Sequence, residues 1–190
     1  MTRLLSLLTL GAVFLLCAGP AADAASPKVL MKTTKGDVTI ELYPDKAPIS
    51  VRNFLAYVDA KFYDATIFHR VIKGFMIQGG GYTADFKEKA SKPAIKNEAA
   101  NGLKNERGTL AMARTPDVDS ATNQFFINLV NNAFLDHRDN TVEGYGYCVF
   151  GRVVAGLDIV DAIAASPIGV AHGMRDVPRE AITILSIRRL

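Results

Sequence analysis

The amino-acid sequence predicts a mainly β fold, an antiparallel sheet closed as a barrel with two helices packed on it. Three observations lead there. Many short segments rich in β-branched and aromatic residues are separated by turn residues. Only two segments carry apolar residues at helical spacing. No internal repeat, linker or low-complexity stretch divides the chain, so one domain is expected over residues 25–190.

The elements follow in order. "VLMKTTKGDVTIELYP" reads as a hairpin. Val29 to Thr33 is one strand, Lys35, Gly36 and Asp37 turn, and Val38, Ile40 and Leu42 alternate with Thr39 and Glu41 on the return. In "APISVRNFLAYVDA", Ala47, Val51, Phe54, Leu55 and Val58 fall on one helical face, with Arg52, Asn53 and Asp59 off it. Pro48 suits the first helical turn. Strands are expected at "TIFHRVI" and "FMIQGG". Residues 80–105, rich in Gly, Lys, Asn and Ala, read as loop. "GTLAMAR", "NQFFINLV" and "YCVFGRVV" are further strands. "GLDIVDAIAAS" is a second helix with Leu157, Val160, Ile163 and Ala164 on one side, and "AITILSIRRL" is a last strand.

The N-terminus is of another kind. Arg3 precedes an apolar run over residues 4–18, and "GPAADAA" supplies small residues with an Ala-x-Ala pattern at Ala22, Asp23 and Ala24. This is the pattern of a secretory signal peptide over residues 1–24, with cleavage after Ala24. The run is shorter than the roughly 20 residues of a spanning helix. A periplasmic protein with no stable membrane insertion after cleavage is expected. Cys17 would leave with the signal, and Cys148, alone among apolar neighbours, reads as a small buried hydrophobe. The formal net charge of +3 is too small and too dispersed for a nucleic-acid partner.

The chemistry concentrates in "FHRVIKGFMIQGGG", where Arg70 sits among apolar residues. Arginine is rarely buried unless paired. By strand alternation Ile67, His69 and Val71 share one face, and Phe68, Arg70 and Ile72 the other. Met76 and Gln78 lie together with Ile77 opposite. Phe125, Ile127 and Leu129 form plain core, whereas Gln124, Phe126 and Asn128 share the opposite face. Each of three segments thus offers an apolar side chain beside a polar one, which fits a shallow apolar pocket with a few aimed donors. On alternation alone, an ion pair of Arg70 with Asp64 or Glu98 is equally open.

"FHRVIKGFMIQGG", followed by "GTLAMAR" and "NQFFINL", resembles the cyclophilin family of peptidyl-prolyl cis-trans isomerases, over essentially all of the chain after the signal. "IKNEAANGLKNERGTLAMART" and "NAFLDHR" are most similar to the periplasmic cyclophilins of Gram-negative bacteria. The resemblance implies a closed eight-stranded antiparallel barrel capped by two helices. It places Arg70 as the catalytic arginine and Phe75, Met76, Phe126 and Leu135 as lining of a proline pocket. Gln78 would support the arginine and the substrate backbone, and Gln124 would be a second groove amide. Ala113 and Arg114 align with an edge that hydrogen-bonds an extended peptide. Arg114 departs from the asparagine of eukaryotic forms, Tyr147 from their histidine, and Phe134 from a tryptophan that contributes to cyclosporin binding.

Rotation about a peptide bond faces a barrier of roughly 18–20 kcal/mol, which is amide resonance. No nucleophile, metal or cofactor is required; the enzyme must bind the twisted bond better than either planar state. In the twisted state the prolyl nitrogen regains a lone pair, and a guanidinium aimed at it stabilises that state selectively. The expected function is isomerisation of X-Pro bonds in proline-containing segments of unfolded or partly folded exported proteins, by a monomer. The alternative is a non-catalytic peptide-binding chaperone on the same barrel. The three histidines, His69, His137 and His172, form no i, i+4 pair for zinc. A hydrolase using Ser120 and His137 would lack a nucleophile elbow.

Overall fold

The computed structural model describes residues 26–190. The signal peptide and its cleavage site lie outside the described residues. The chain runs β1 (Lys28–Thr33), β2 (Gly36–Leu42), α1 (Pro48–Asp59), β3 (Thr66–Ile72), β4 (Met76–Thr83), β5 (Thr109–Met112), β6 (Phe125–Asn128), β7 (Val149–Ala155), α2 (Leu157–Ala164), β8 (Ile168–Ala171), β9 (Met174–Pro178) and β10 (Thr183–Arg189). Eight strands close a barrel in the order β1-β10-β3-β4-β6-β5-β7-β2, every neighbouring pair antiparallel. Closure removes the sheet edges that would otherwise recruit other chains. The expected barrel and both helices are therefore present.

The barrel interior is filled by the inward residue of each strand. Val71, Ile77, Ile127 and Leu110 form one cross-strand row, each fully buried. α1 adds Phe54, whose ring meets Tyr63, Phe125 and Phe150 at 5.2, 5.7 and 5.3 Å between centroids. These are favourable tilted and edge-to-face arrangements. The start of α1 is completed from far away in the chain. Glu98 accepts from Ile49 N at 3.0 Å and from Ser50 N and Oγ, both at 2.8 Å. A carboxylate there satisfies two free N–H groups and complements the helix dipole.

Asn53, placed off the apolar face of α1 by its polarity, is in fact buried, and its side chain donates to the Thr122 carbonyl. Off the apolar face, it ties the helix to a loop. The hairpin of β8 and β9 was also not foreseen. "IGVAHGMRDVP" alternates weakly, and apart from Val177 and Pro178 its residues are exposed or half-buried, so it carries little periodic signal. Loop 80–105 starts later than expected, since β4 runs to Thr83.

The junction of β7 and α2 depends on Gly156, at φ +84°. A Cβ there would lie 2.3 Å from the Asp37 carbonyl oxygen and 3.0 Å from Val38 Cα, both backbone atoms of the first hairpin. Gly156→Ala is expected to destabilise the protein by about 1–3 kcal/mol, measured by urea unfolding. A loss smaller than the experimental error would mean that the hairpin moves aside freely.

Candidate active site

The barrel is filled inside, so a binding site has to be built on its outer wall. Next to the inner row of Val71, Ile77, Ile127 and Leu110 runs an outward row of Arg70, Gln78, Phe126, Ala111 and Val149, each paired with the next across β3, β4, β6, β5 and β7. Met76, Ala111, Phe126, Leu135 and Val149 form a second apolar cluster, separate from the barrel core, with Ile72, Phe75, Leu103, Ala113 and Tyr147 packed against it. Arg70 stands at the end of this row.

The face assignment needed one correction. Strict alternation put Phe68 beside Arg70, but Phe68 lies in the barrel core, edge-on to Phe125 at 6.3 Å. The pairs Phe68 with Gly79 and Arg70 with Gln78 leave His69 as an extra residue on β3. This bulge shifts the alternation by one and aims Arg70 outward. The glycines of "GGG" serve the same region: a Cβ on Gly81 would lie 2.6 Å from Gln124 Nε2, so the glycine leaves room for that amide.

The cleft over the second cluster has a volume of about 100 Å³. Arg70, Phe75, Met76, Gln78, Ala113, Arg114, Phe126, Leu135 and Tyr147 line it. Nine of the eleven residues singled out from the sequence thus converge on one cleft. Gln124 stands one step behind, accepting from Gln78 Nε2 at 2.9 Å. Phe134 is on the rim, 65% exposed and stacked on Phe75 at 5.6 Å. Tyr147 meets Phe126 edge-on at 5.7 Å.

The ion pairs considered for Arg70 are absent. Asp64 is held by Arg188 at 2.8 and 2.6 Å, and Glu98 caps α1. Among the described residues Arg70 makes neither a salt bridge nor a side-chain hydrogen bond, and its guanidinium is exposed beside the cleft. A free, always-charged fork beside apolar walls is poised to donate to a ligand.

The Arg114 side chain is turned to its own surroundings. Its guanidinium donates to the carbonyls of Gly146, Thr115, Pro116 and Val142 at 3.0–3.2 Å and lies 4.8 Å above the Tyr147 ring. It clamps the loop that carries Tyr147. Ala113 N donates to Gln124 O at 3.0 Å, so this N–H is already used. The peptide edge is reduced to the groups beside it.

The sequence reading missed what supports the cleft. Asn105, fully buried, donates its amide to Leu135 O at 3.1 Å, Asp136 Oδ1 at 3.2 Å and Tyr147 O at 3.3 Å. Asn128 donates to Asn105 Oδ1 at 3.2 Å and Thr109 Oγ1 at 2.9 Å. Asn132 donates to Asn128 Oδ1 at 2.7 Å and to Phe75 O at 3.0 Å. These amides connect the backbones of three wall residues, Phe75, Leu135 and Tyr147. The only sequence signal was asparagine within the apolar surroundings of "INLVNN".

His69, at the bulge, is buried with its Nδ1 unpartnered. Burial, then the neighbouring Arg70 charge, pushes its pKa down from 6.5 to about 4. The neutral ring is what folds. Above pH 6.5 it imposes no cost; as pH falls toward 4 the unfolded chain takes up a proton that the folded one refuses, so stability is lost across that window. The loss is on the order of 3 kcal/mol when complete. His69→Gln is expected to flatten this part of the acid unfolding curve, read by denaturant titrations at pH 7, 5.5 and 4.5. An unchanged acid slope would assign it to other groups.

Other constellations do not assemble. Ser120 Oγ is engaged by Thr115 N at 2.9 Å and by Thr115 Oγ1 at 2.8 Å. The His137 ring shares a 2.9 Å hydrogen bond with Tyr145 O. Cys148 is buried, and burial pushes its thiol up to about 12, which makes it inert. No helix of the described residues is long and apolar enough to cross a membrane.

Comparison with known proteins agrees with this geometry. Residues 28–189 match the family described as cyclophilin type peptidyl-prolyl cis-trans isomerase/CLD. The chain is 54% identical over 159 residues to peptidyl-prolyl cis-trans isomerase B of Escherichia coli, covering 84% of this chain and 97% of that protein. It is 52% identical over 164 residues to a peptidyl-prolyl cis-trans isomerase of Acinetobacter baylyi, covering 86% of each. A crystal structure of a Cryptosporidium parvum cyclophilin superposes with a TM-score of 0.71 at 27% identity, covering 87% of this chain and 98% of that one. A second structure of that protein, determined in the presence of the dipeptide Ala-Pro, gives 0.69 over 85% and 97%. The chain belongs to the cyclophilin-type peptidyl-prolyl cis-trans isomerases, and its activity is rotation about X-Pro bonds of proline-containing peptides.

Proposed function

We propose that Arg70 is the catalytic residue, and that the cleft of Phe75, Met76, Phe126 and Leu135 holds the proline ring beside it. The observation that carries this reading is the unpaired Arg70 guanidinium at the end of an apolar outer row. In planar X-Pro the nitrogen lone pair is delocalised into the carbonyl and offers little to a donor. As the bond twists, the lone pair localises on nitrogen, and a guanidinium N–H gains a charge-assisted hydrogen bond that neither planar isomer can match. The fixed ring makes the acyl side the part that rotates. Gln78, bonded to Gln124, would donate or accept along the peptide backbone without adding charge.

The proposed setting is the periplasm, where the enzyme acts as a monomer on exported chains as they fold. The support is the short apolar run over residues 4–18 followed by Ala22, Asp23 and Ala24. Cell fractionation with N-terminal sequencing tests it; recovery in the periplasmic fraction with Ala25 first is the expected result, and recovery with an intact Met1 in the cytoplasm would overturn it. The catalytic assignment is tested by NMR exchange on an Ala-Pro-Phe peptide with wild-type protein and Arg70→Ala. Peptide binding without acceleration by well-folded wild-type protein would leave the barrel as a binding module.

A further inference from the structure

The cleft shares Arg70 and Gln78 with a neighbouring cavity. That cavity, about 430 Å³, is lined by His69, Tyr82, Gln124, Met174, Arg175 and Asp176 together with that pair. It is large enough for a long side chain. Its outer wall comes from β9, in the two-stranded sheet that packs against β3 without pairing to the barrel. Asp176 adopts φ +60°, an uncommon conformation for a residue with a side chain.

The polar groups around this cavity are mostly donors without partners. Gln124 Oε1 accepts from Gln78, which leaves the Gln124 amide N–H groups uncommitted. Among the described residues Arg70, Arg175 and Asp176 make no salt bridge within 4.0 Å, although Arg175 and Asp176 are adjacent in the chain. His69, on the floor, has a buried ring nitrogen with no partner. Two guanidinium groups and a free amide thus face a single carboxylate. The surplus is of positive charge and of hydrogen-bond donors, and it is complementary to an acceptor-rich anion.

We infer that this second cavity is a side-chain subsite of the same groove, which takes a glutamate side chain lying within two residues of the isomerised proline. The inference rests on the proline ring occupying the cleft on the other side of Arg70. With the ring there, an extended peptide crossing the Arg70 and Gln78 wall brings a neighbouring side chain over the second cavity. Arg175, on the exposed hairpin, is the specificity-determining residue, and Asp176 tempers the charge.

The experiment uses the whole protein and a set of short Ala-Pro peptides. Glu, Gln or Lys is placed in turn at each of the two positions before and after the Ala-Pro pair, and kcat/KM is measured with wild-type, Arg175→Glu and Asp176→Asn proteins. At one position Glu is expected to exceed Gln by about three- to fivefold, the scale of one partly shielded ion pair, with Lys below Gln. Arg175→Glu should invert that order at the same position and leave the all-alanine peptide unchanged. Asp176→Asn should widen the Glu advantage. Equal rates for Glu, Gln and Lys at all four positions, or a Glu preference that survives in Arg175→Glu, would overturn the inference. The all-alanine rate separates the two readings: its absence in wild type would instead sink the proposed catalytic site.

Discussion

Arg70→Ala is expected to lower kcat/KM by about 10²- to 10³-fold, the usual cost of removing a donor aimed at developing charge. Most of the loss should fall on kcat, because the hydrogen bond to the prolyl nitrogen exists only in the twisted state. Peptide affinity should change little, since the apolar walls of Phe75, Met76, Phe126 and Leu135 remain. Stability should stay within about 0.5 kcal/mol of wild type, the range for a surface side chain with no partner to lose. Arg70 is exposed and free of ion pairs, so this separation of function from folding is unusually clean. Arg70→Lys keeps the charge but loses the rigid fork, and should recover only part of the rate. The measurement is exchange spectroscopy on Ala-Pro-Phe, paired with thermal unfolding of each variant. A rate in Arg70→Ala within a few fold of wild type would remove the arginine from the catalytic step.

Asn105→Ala is the second large effect, on stability first and on the site through it. The change removes one hydrogen bond each from Leu135 O, Tyr147 O, Asp136 Oδ1 and Asn128 Nδ2. Leu135 O keeps Tyr147 N, Asp136 Oδ1 keeps Asn105 N and Asn128 Nδ2 keeps Thr109 Oγ1, so Tyr147 O alone loses its sole partner. Each buried polar group left unpaired costs about 1–3 kcal/mol, and water entering the vacated space offsets part of it. A net loss of about 2 kcal/mol is expected, read by urea denaturation. The same variant should raise KM for the peptide more than it lowers kcat, because Leu135 and Tyr147 form the cleft wall while Arg70 stands on β3, outside the network. A stability loss under 1 kcal/mol would mean that the remaining asparagines hold the two wall backbones without it.

How much of this could be read beforehand depends on how local the cause is. The eight barrel strands and both helices follow from periods of two and 3.6, set by each segment's own side chains, and they emerged at nearly their true bounds. The wall residues Met76 and Phe126 were legible for the same reason: apolar groups on the face opposite Ile77 and Phe125 require a second cluster to cover them. Phe68 was misplaced because a bulge is a property of two strands, and alternation within one strand does not record an extra residue such as His69. The roles of Asn53 and of the Asn105 network were not legible, because their hydrogen-bond partners lie tens of residues away. Arg114 lines the cleft, but that its guanidinium is spent on four nearby carbonyls was not legible, because those carbonyls belong to loops that fold up beside it.

The order of strands around the barrel also bears on how the chain is made. β1 is flanked by β2 and by β10, so the first strand synthesised waits for the last one before its second edge is covered. β10 in turn supplies the partner of β3. A ribosome adding about 5–20 residues per second therefore holds a nascent chain whose ring stays open until its final residues emerge. Such long-range closure slows folding. The barrel can become a closed body only once β10 has been made and has found both β1 and β3.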